Sequence, residues 1–375
     1  MHLTFEQKDL TQATTIVAGL LKRSATTLPL LSNLLLEVRD GKAVFTGTDL
    51  ESMVRVTIPV RADGPARLTL PADKLAELVA LLPAGCEVTI EDNAGLAVIK
   101  TESNNYQLVT LPADDYPQWR IEAPVTRIEA KQSQFKRLID AVAYAIPPKD
   151  HRRVLMGGLL EVRGLVARLT GTDGKKLSRM SIELAAAEGE ENASLVVPGK
   201  LIGDLRKVLG EEGPLCAELG ERQVAFIVDN AEFRTNCIEG RYPDCDAVIP
   251  KEFPGKARLN GDSFQMAVRR AGVTSDDKNK SIVLKFHEGG CDFESSAADV
   301  GRFTGATALE YQGPPVEIAF NYQLLIETLG SFSHPDILLN VKSEQAPCLF
   351  KCNEEKDHLC VLMPIKLADV RSAAM

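Results

Sequence analysis

The chain has 375 residues, 45% of them hydrophobic and 25% charged, a balance typical of globular proteins and not of disordered or membrane proteins. Taken alone, its net charge of −9 argues against a nucleic-acid partner. This length predicts two or three domains.

The N-terminal segment contains Glu6, Lys8 and Asp9 and therefore lacks the apolar run of a signal peptide. No stretch approaches the roughly 18 apolar residues of a membrane span. We therefore expect a cytoplasmic protein that does not contact membranes.

The eight cysteines include no C-x-x-C pair, and we expect them to be reduced thiols, mostly buried. The nearest approach to a metal-ligand cluster is made by Cys348, Cys352, Cys360 and His358. Because structural zinc sites need four close N or S ligands in a compact motif, we favour buried thiols over a metal site. No metal and no cofactor is predicted.

Helical periodicity occurs six times along the chain, as three pairs. The first helix of each pair has apolar positions at i, i+3, i+4 and i+7: Leu10, Ala13, Thr14 and Val17; Phe135, Leu138, Ile139 and Val142; Phe264, Ala267, Val268 and Ala271. The second has a similar stripe: Leu75, Leu78, Val79 and Leu82; Leu201, Leu205, Val208 and Leu209; Leu325, Thr328, Leu329 and Phe332. Such stripes predict amphipathic helices that pack on a core.

Short strand-like runs separated by turn residues lie between and after these helices. In the first part of the chain they are Leu34–Val38, Ala43–Thr46, Met53–Val60, Glu87–Glu91, Leu96–Thr101 and Tyr106–Leu111. Two helices and an antiparallel sheet in each part predict an α+β fold.

Three similar units repeat along the chain. Thr46–Asp49 returns 124 residues later as Thr170–Asp173, and Tyr116-Pro117 returns 126 residues later as Tyr242-Pro243. A weaker third copy begins at Ile282–Phe286. A period this long is the size of a whole domain. With proline-marked boundaries, it predicts domains at residues 1–124, 125–252 and 253–375.

The repeated Thr-Gly-Thr-Asp segments have two interpretations. A phosphoryl-transfer site is one, but no P-loop, paired metal-binding carboxylates or nucleophile–base pair accompanies them. A strand followed by a turn is favoured. An enzyme, a hydrolase or transferase with its site between the second and third domains, remains a rival hypothesis, although no histidine falls at matching positions of the repeats. We predict no catalytic residue.

Four segments carry a resemblance to a known family: Leu28–Leu36, Thr172–Leu177, Glu239–Asp244 and Met363–Leu367. With the repeat, they make the whole chain resemble the bacterial DNA polymerase III β subunit, the sliding-clamp family. The resemblance implies three repeated DNA-clamp domains, each with two helices packed on antiparallel sheet. It further implies a head-to-tail homodimer that closes into a six-domain ring around duplex DNA. A plain interaction scaffold, or a clamp of a specialised replisome, is the second rival.

The resemblance also implies a non-catalytic processivity factor and its partners. Besides DNA, bound without sequence preference, these are the DNA polymerase III α subunit, the clamp loader and other proteins with a clamp-binding motif. They insert a short peptide, glutamine first and leucine or phenylalanine last, into one pocket. The implied pocket residues are Leu155, Thr172, Gly174, Lys175, Lys176, Leu177, Pro243, Val248, Val361, Met363, Pro364, Ile365, Lys366 and Leu367.

The same resemblance implies DNA contacts and dimer contacts. Six segments that contain the predicted helices have a total net charge of +5, which leaves −14 for the rest of the chain, as expected of a basic DNA-facing lining. These segments are residues 5–23, 72–83, 131–153, 198–209, 262–280 and 321–336. The expected DNA contacts are Lys22, Arg23, Lys74, Lys149, Arg152, Arg153 and Lys200. The expected dimer contacts are Tyr106, Leu108, Gly272 and Val273. The chain departs from the family pattern at Asp73, Val154, Ala247 and Gly272.

Overall fold

The fold is seen in a computed structural model that describes residues 2–21, 28–93, 95–276, 279–368 and 370. The first part of the chain forms β1 (His2–Glu6), α1 (Gln7–Leu21), β2 (Asn33–Arg39), β3 (Lys42–Thr48), β4 (Ser52–Pro59), β5 (Arg61–Ala62), β6 (Ala66–Pro71), α2 (Ala72–Ala80), β7 (Glu87–Asn93), β8 (Leu96–Lys100) and β9 (Asn105–Val109).

The middle part repeats this order. It forms β10 (Thr126–Lys131), α3 (Gln132–Val142), β11 (Gly157–Arg163), β12 (Val166–Thr172), β13 (Lys176–Glu183), β14 (Ala186–Gly189), β15 (Asn192–Pro198), α4 (Gly199–Val208), β16 (Pro214–Leu219), β17 (Gln223–Val228) and β18 (Ala231–Asn236).

The last part repeats it again. It forms β19 (Gly255–Asn260), α5 (Gly261–Gly272), β20 (Ser281–His287), β21 (Gly290–Ala297), β22 (Gly301–Ala308), β23 (Glu310–Gln312), β24 (Val316–Asn321), α6 (Tyr322–Leu329), β25 (Asp336–Val341), β26 (Cys348–Cys352) and β27 (His358–Leu362). Within the described residues, no helix has both the length and the apolar character needed to cross a membrane.

The α+β prediction is confirmed, and each predicted helix is present. The sequence predicted strands only between and after the helices, and this is incomplete, because β1, β10 and β19 precede the first helix of each repeat. These strands alternate buried and exposed residues, a period of two that the stronger helical periodicity following them conceals.

The chain forms two compact units. The first comprises residues 1–136 and 184–237. In it, one sheet has the order β5-β1-β7-β8-β9, and a larger one the order β14-β10-β16-β17-β18-β4-β3-β2-β6. β9 is therefore an edge strand. Apolar residues of α1 and α2, such as Leu10, Val17 and Leu75, are fully buried, so these helices cover the core.

The second unit comprises residues 137–183 and 238–375. One of its sheets runs β11-β12-β13-β27-β26-β25-β19-β23, and another runs β22-β21-β20-β24. A core built around Phe264, Phe293, Phe320 and Phe350 fills the C-terminal part. In the first of these sheets β13 pairs with β27, so a strand from the middle of the chain lies beside the last strand.

The repeated motifs have equivalent structural roles in the two units. Tyr116 is buried and its hydroxyl donates to the carbonyls of Asn33 and Thr46, each at 3.2 Å. Tyr242 does the same with the carbonyls of Gly157 and Thr170, at 3.4 and 3.3 Å. Burial raises the pKa of both phenols. The repeated tyrosine therefore ties the Tyr-Pro segment to the ends of two neighbouring strands.

The glycine of each Thr-Gly-Thr-Asp segment allows a helix to lie close to the sheet. A Cβ atom on Gly47 would come within 2.7 Å of Val17 on α1, and one on Gly171 within 3.0 Å of Val142 on α3. The aspartates that follow accept backbone N–H bonds and close tight turns. The repeated segment is thus a strand followed by a turn, as favoured above.

Candidate functional site: a cavity in the second unit

A cavity of 130 Å³ lies in the second unit, where the first residues of β13 meet the end of β27. Leu177 on β13 and Val361 on β27 are direct partners across the antiparallel ladder, and both line the cavity. The backbone N–H of Met363 extends the ladder by donating to the carbonyl of Lys175 at 2.8 Å. The complete lining is Arg152, Leu155, Thr172, Gly174, Lys175, Lys176, Leu177, Pro243, Asp244, Cys245, Val248, Val361 and Met363.

The turn between β12 and β13 gives the cavity one wall. Thr172 donates to the carbonyl of Lys176 at 2.7 Å, and Asp173 accepts from the backbone N–H groups of Lys175 and Lys176. Gly174 has φ of +85°, a conformation that glycine adopts without strain. The turn therefore presents backbone polar groups at a fixed place beside apolar side chains.

A network around Arg152 forms a polar edge. Its guanidinium donates twice to the carboxylate of Asp150, at 3.1 Å each, and once to the carbonyl of Asp173 at 2.9 Å. These bonds from Arg152 hold the pKa of Asp150 at about 2. A Cβ on Gly174 would approach the Arg152 guanidinium to 3.3 Å. Arg152 is thus positioned as part of the cavity.

Lys176 is a buried cation behind the same turn. Its ammonium lies 2.5 Å from a carboxylate oxygen of Glu327 on α6 and 5.2 Å from the ring centroid of Tyr144. A buried ammonium needs such partners because desolvation of an unpaired charge is costly. The ion pair fixes the Lys176 side chain. This restrains the Lys176 backbone, which forms part of the cavity wall.

Ten of the fourteen residues that the resemblance implied for the pocket surround this single cavity. The other four, Pro364, Ile365, Lys366 and Leu367, follow Met363 and are not among its lining residues. Ile365 instead donates its backbone N–H to the carbonyl of Ala319 at 2.8 Å.

Sequence reasoning did not assign Arg152, Asp244 or Cys245 to the pocket. Asp244 and Cys245 directly follow Pro243 in a segment already singled out, so their position beside it was the available signal. Arg152 was assigned to DNA instead. Its place in the cavity depends on a fold that brings residues 150–152 against the turn at 172–174, which no local pattern in the sequence reveals.

Comparison with known proteins identifies the family. Models of the N-terminal, central and C-terminal domains of the DNA polymerase III beta subunit match residues 1–120, 129–244 and 246–366. This chain belongs to the DNA polymerase III beta-subunit family. It has three clamp domains, and its function is that of a sliding clamp in DNA replication.

The similarity to individual relatives extends over nearly the whole chain. The beta sliding clamps of Pseudomonas putida and Escherichia coli K12 are 29% and 28% identical over 372 residues, covering 98% of this chain and 100% of each relative. A crystal structure of the Pseudomonas aeruginosa DNA polymerase III beta subunit superposes with a TM-score of 0.92, and one of that protein bound to griselimycin superposes with a TM-score of 0.93. Both are 27% identical and cover 98% of this chain and 100% of theirs.

The residues expected to contact DNA differ in their surroundings. Lys22 and Arg23 lie outside the described residues. In the first unit, Lys74 pairs with Glu77 at 3.1 Å and Lys200 with Asp49 at 2.5 Å. In the second unit, Lys149 and Arg153 are exposed, whereas Arg152 is engaged at the cavity. Among the expected DNA contacts, Arg152 therefore differs from Lys149 and Arg153 in that its guanidinium is already bonded to Asp150 and Asp173.

The residues expected at the dimer contact lie on a strand edge and a helix end. Tyr106 and Leu108 are on the edge strand β9 of the first unit, and Tyr106 is 39% exposed. In the second unit Val273 is 74% exposed, but Gly272 is buried. The ring of Tyr322 occupies the space beside Gly272, since a Cβ there would lie 2.6 Å from it.

The cysteine cluster does not form a metal site. Among the residues that the structure describes, no group of three or more His, Cys, Asp or Glu side chains is arranged to hold a metal ion. All eight cysteines lie in the described ranges, and none of them forms a disulfide. Cys360 and His358 are nevertheless close together, with Sγ and Nε2 3.2 Å apart.

Proposed function

We propose that two copies of this chain associate head to tail into a ring that encircles duplex DNA and slides along it. Exposed lysines and arginines would contact phosphates, a weak and sequence-independent interaction that permits sliding. The ring would hold the polymerase near the primer end in the bacterial cytoplasm. Tethering raises the effective concentration of the polymerase and lowers no chemical barrier, so the protein would be non-catalytic.

We further propose that the cavity in the second unit is the docking pocket for the DNA polymerase III α subunit, the clamp loader and other proteins with a clamp-binding motif. The cavity itself is the observation that supports this. Leu155, Leu177, Val361 and Met363 offer an apolar surface for a leucine or phenylalanine anchor, and Met adapts to different partners. The turn at 172–174 offers polar groups for a leading glutamine.

The test is to measure peptide binding and assembly on the same samples. A fluorescent peptide that begins with glutamine and ends in leucine-phenylalanine should bind the wild-type protein. Met363→Asp should weaken binding at least about tenfold, because the bound peptide would bury the new carboxylate beside apolar groups. Both proteins should have the mass of a dimer and appear as rings by electron microscopy.

Met266→Asp is the matched control, since Met266 is 54% exposed on α5 and does not line the cavity. Equal peptide affinity of wild type and Met363→Asp would disprove the pocket. A monomer without a hole, for the wild type, would disprove the ring.

A further inference from the structure

The turn that forms one wall of the cavity has a counterpart in the first unit, 124 residues earlier in the chain. Thr48 donates its hydroxyl proton to the carbonyl four residues on, at 2.8 Å, and accepts from the backbone N–H two residues on, at 3.0 Å. Thr172 makes the same two bonds, at 2.7 and 3.1 Å. Asp49 and Asp173, the next residues, each accept two further backbone N–H bonds. The two turns therefore have the same hydrogen bonds.

The strand that ends beside each turn is equivalent as well. In the first unit Asn236, the last residue of β18, donates its backbone N–H to the carbonyl of Glu51 at 3.0 Å. In the second unit Met363, directly after β27, makes the corresponding bond to Lys175 at 2.8 Å. The buried tyrosines of the two Tyr-Pro segments also have matching bonds, as described above. The first unit thus repeats the framework around which the second unit forms its cavity.

The two units differ at the third residue after the tyrosines Tyr116 and Tyr242. In the second unit this residue is Cys245, which is buried and lines the cavity. In the first unit it is Trp119, the only tryptophan of the chain, and its indole N–H donates to the hydroxyl of Thr48 at 2.9 Å. Because Thr48 corresponds to a threonine that lines the cavity, the indole extends across the place where the second unit has its cavity.

The hydroxyl of Thr48 uses all of its hydrogen-bonding capacity, and that of Thr172 does not. A threonine hydroxyl offers one proton and two lone pairs. Thr48 donates once and accepts from the N–H groups of Leu50 and Trp119. Thr172 donates once and accepts once, and the described residues provide no third partner. Since Thr172 lines the cavity, a molecule in the cavity can donate to its second lone pair.

We propose that Trp119 is an internal occupant of a duplicate of the cavity, and that the cavity itself takes an indole, the side chain of a tryptophan in a partner's peptide. Thr172 accepts the indole N–H, as Thr48 does in the first unit. Leu155, Leu177 and Val361 provide the apolar surface for the ring, and an indole combines a large apolar area with one donor. This proposal rests on the proposed docking function and narrows its ligand.

A phenylalanine in the same place would use only the apolar part of the cavity. Its ring has no donor, so the second lone pair of Thr172 would remain without a partner. A neutral hydrogen bond that forms on binding strengthens affinity by about fivefold. We therefore expect the cavity to prefer an anchor with an N–H group, and we expect this preference to depend on Thr172.

The first experiment compares three fluorescent peptides on the full-length protein. Each begins with glutamine and has leucine before its last residue, which is phenylalanine, tryptophan or benzothienylalanine. Benzothienylalanine has the shape of tryptophan with sulfur in place of the N–H, so it isolates the hydrogen bond. The tryptophan peptide should bind the wild-type protein about fivefold more tightly than the benzothienylalanine peptide.

Thr172→Val should abolish this difference, and Thr172→Ser should retain it. Thr172→Val also removes the bond that Thr172 donates within its turn, which affects all three peptides. The ratio of two peptide affinities on one variant cancels that effect.

The second experiment transfers the occupant to the second unit. Cys245→Trp places an indole at the position that corresponds to Trp119. It should fill the cavity and weaken binding of all three peptides at least about tenfold, whereas Cys245→Ala, the control, should bind them as the wild type does. In a Trp119→Phe background the new indole is the only one. Its fluorescence emission should then lie at shorter wavelength than that of the free tryptophan peptide, which shows burial without any bound ligand.

Each outcome supports or overturns the proposal. If the tryptophan and benzothienylalanine peptides bind the wild-type protein equally, Thr172 does not accept an indole N–H and the anchor assignment is wrong. If Cys245→Trp has an exposed indole, or binds peptides as tightly as wild type, the two frameworks are not equivalent. If no peptide binds the wild-type protein, the docking function fails, while the emission of Cys245→Trp still decides the equivalence. If Cys245→Trp does not fold, the peptide ratios on wild type and Thr172→Val decide the anchor.

Discussion

At the scale of single residues, Gly272 shows how a departure from the family pattern is accommodated. It is the last residue of α5, and the ring of Tyr322 fills the space where a side chain would lie, with ring atoms 2.6 to 2.9 Å from an added Cβ. We predict that Gly272→Ala destabilises the protein by about 1–3 kcal/mol, as expected of an over-packed site. Urea unfolding measures this change.

Gly203→Ala is the matched control for that substitution. Gly203 lies in α4, and a Cβ there meets no atom within 4 Å. Alanine should therefore stabilise this helix by up to about 1 kcal/mol. If Gly272→Ala is as stable as wild type, Tyr322 moves aside freely and the close packing described here is not rigid.

Glu355 provides a residue-scale prediction about pH. Burial raises the pKa of its carboxyl, but hydrogen bonds from His358 and Ser333 and the charge of Arg137 outweigh burial and hold the pKa at about 2. A folded pKa below the unfolded value of 4.5 means stability that is fully present above pH 4.5 and is lost as the pH falls towards 2. The contribution is at most about 3 kcal/mol.

Glu355→Gln should therefore lower the free energy of unfolding at pH 6, and its difference from wild type should shrink between pH 4.5 and pH 2. Denaturant unfolding at several pH values measures that difference. Glu354→Gln, at the exposed neighbouring residue, controls for removing one carboxylate. A difference that stays constant with pH would show that the fold does not lower the pKa of the Glu355 carboxyl.

At the scale of elements, sequence periodicity predicted the helices well and their ends less well. Leu82 and Phe332 belong to the predicted stripes, yet α2 ends at Ala80 and α6 at Leu329. Both side chains are still buried. An apolar stripe indicates which residues face the core. Residues in the turn that follows a helix can continue this stripe and be buried as well, so the stripe does not show where the helix ends.

The cavity shows which part of a site local patterns can predict. Segments such as Thr172–Leu177 and Met363–Leu367 were recognised because each is contiguous. The place of Arg152 depends on Asp150 and on the carbonyl of Asp173, which only the folded chain brings together. The pairing of Ser178 with Cys360 across β13 and β27 joins residues 182 positions apart, so no local periodicity could have revealed this contact.

At the scale of the whole molecule, we expect neighbouring cations to have different roles. The six segments that contain the predicted helices have a net charge of +5 within a chain of −9, and Lys149 and Arg153 are exposed in the part of one segment that follows α3. Arg152, between them, is held at the cavity by Asp150 and by the carbonyl of Asp173. DNA affinity and peptide affinity should therefore respond to different residues of this short segment.

The double variant Lys149→Glu with Arg153→Glu should weaken duplex DNA binding at low salt and lower the salt dependence by about 0.9 per lost phosphate contact, with peptide affinity unchanged. Arg152→Glu should mainly weaken the peptide, because it removes the bonds that hold the turn at the cavity. Fluorescence anisotropy with labelled duplex and labelled peptide measures the two affinities.

The control is the double variant Arg163→Glu with Lys351→Glu, at exposed strand positions, which makes the same change in net charge. If this control weakens DNA binding as much as Lys149→Glu with Arg153→Glu, overall charge governs binding and these two residues are not DNA contacts.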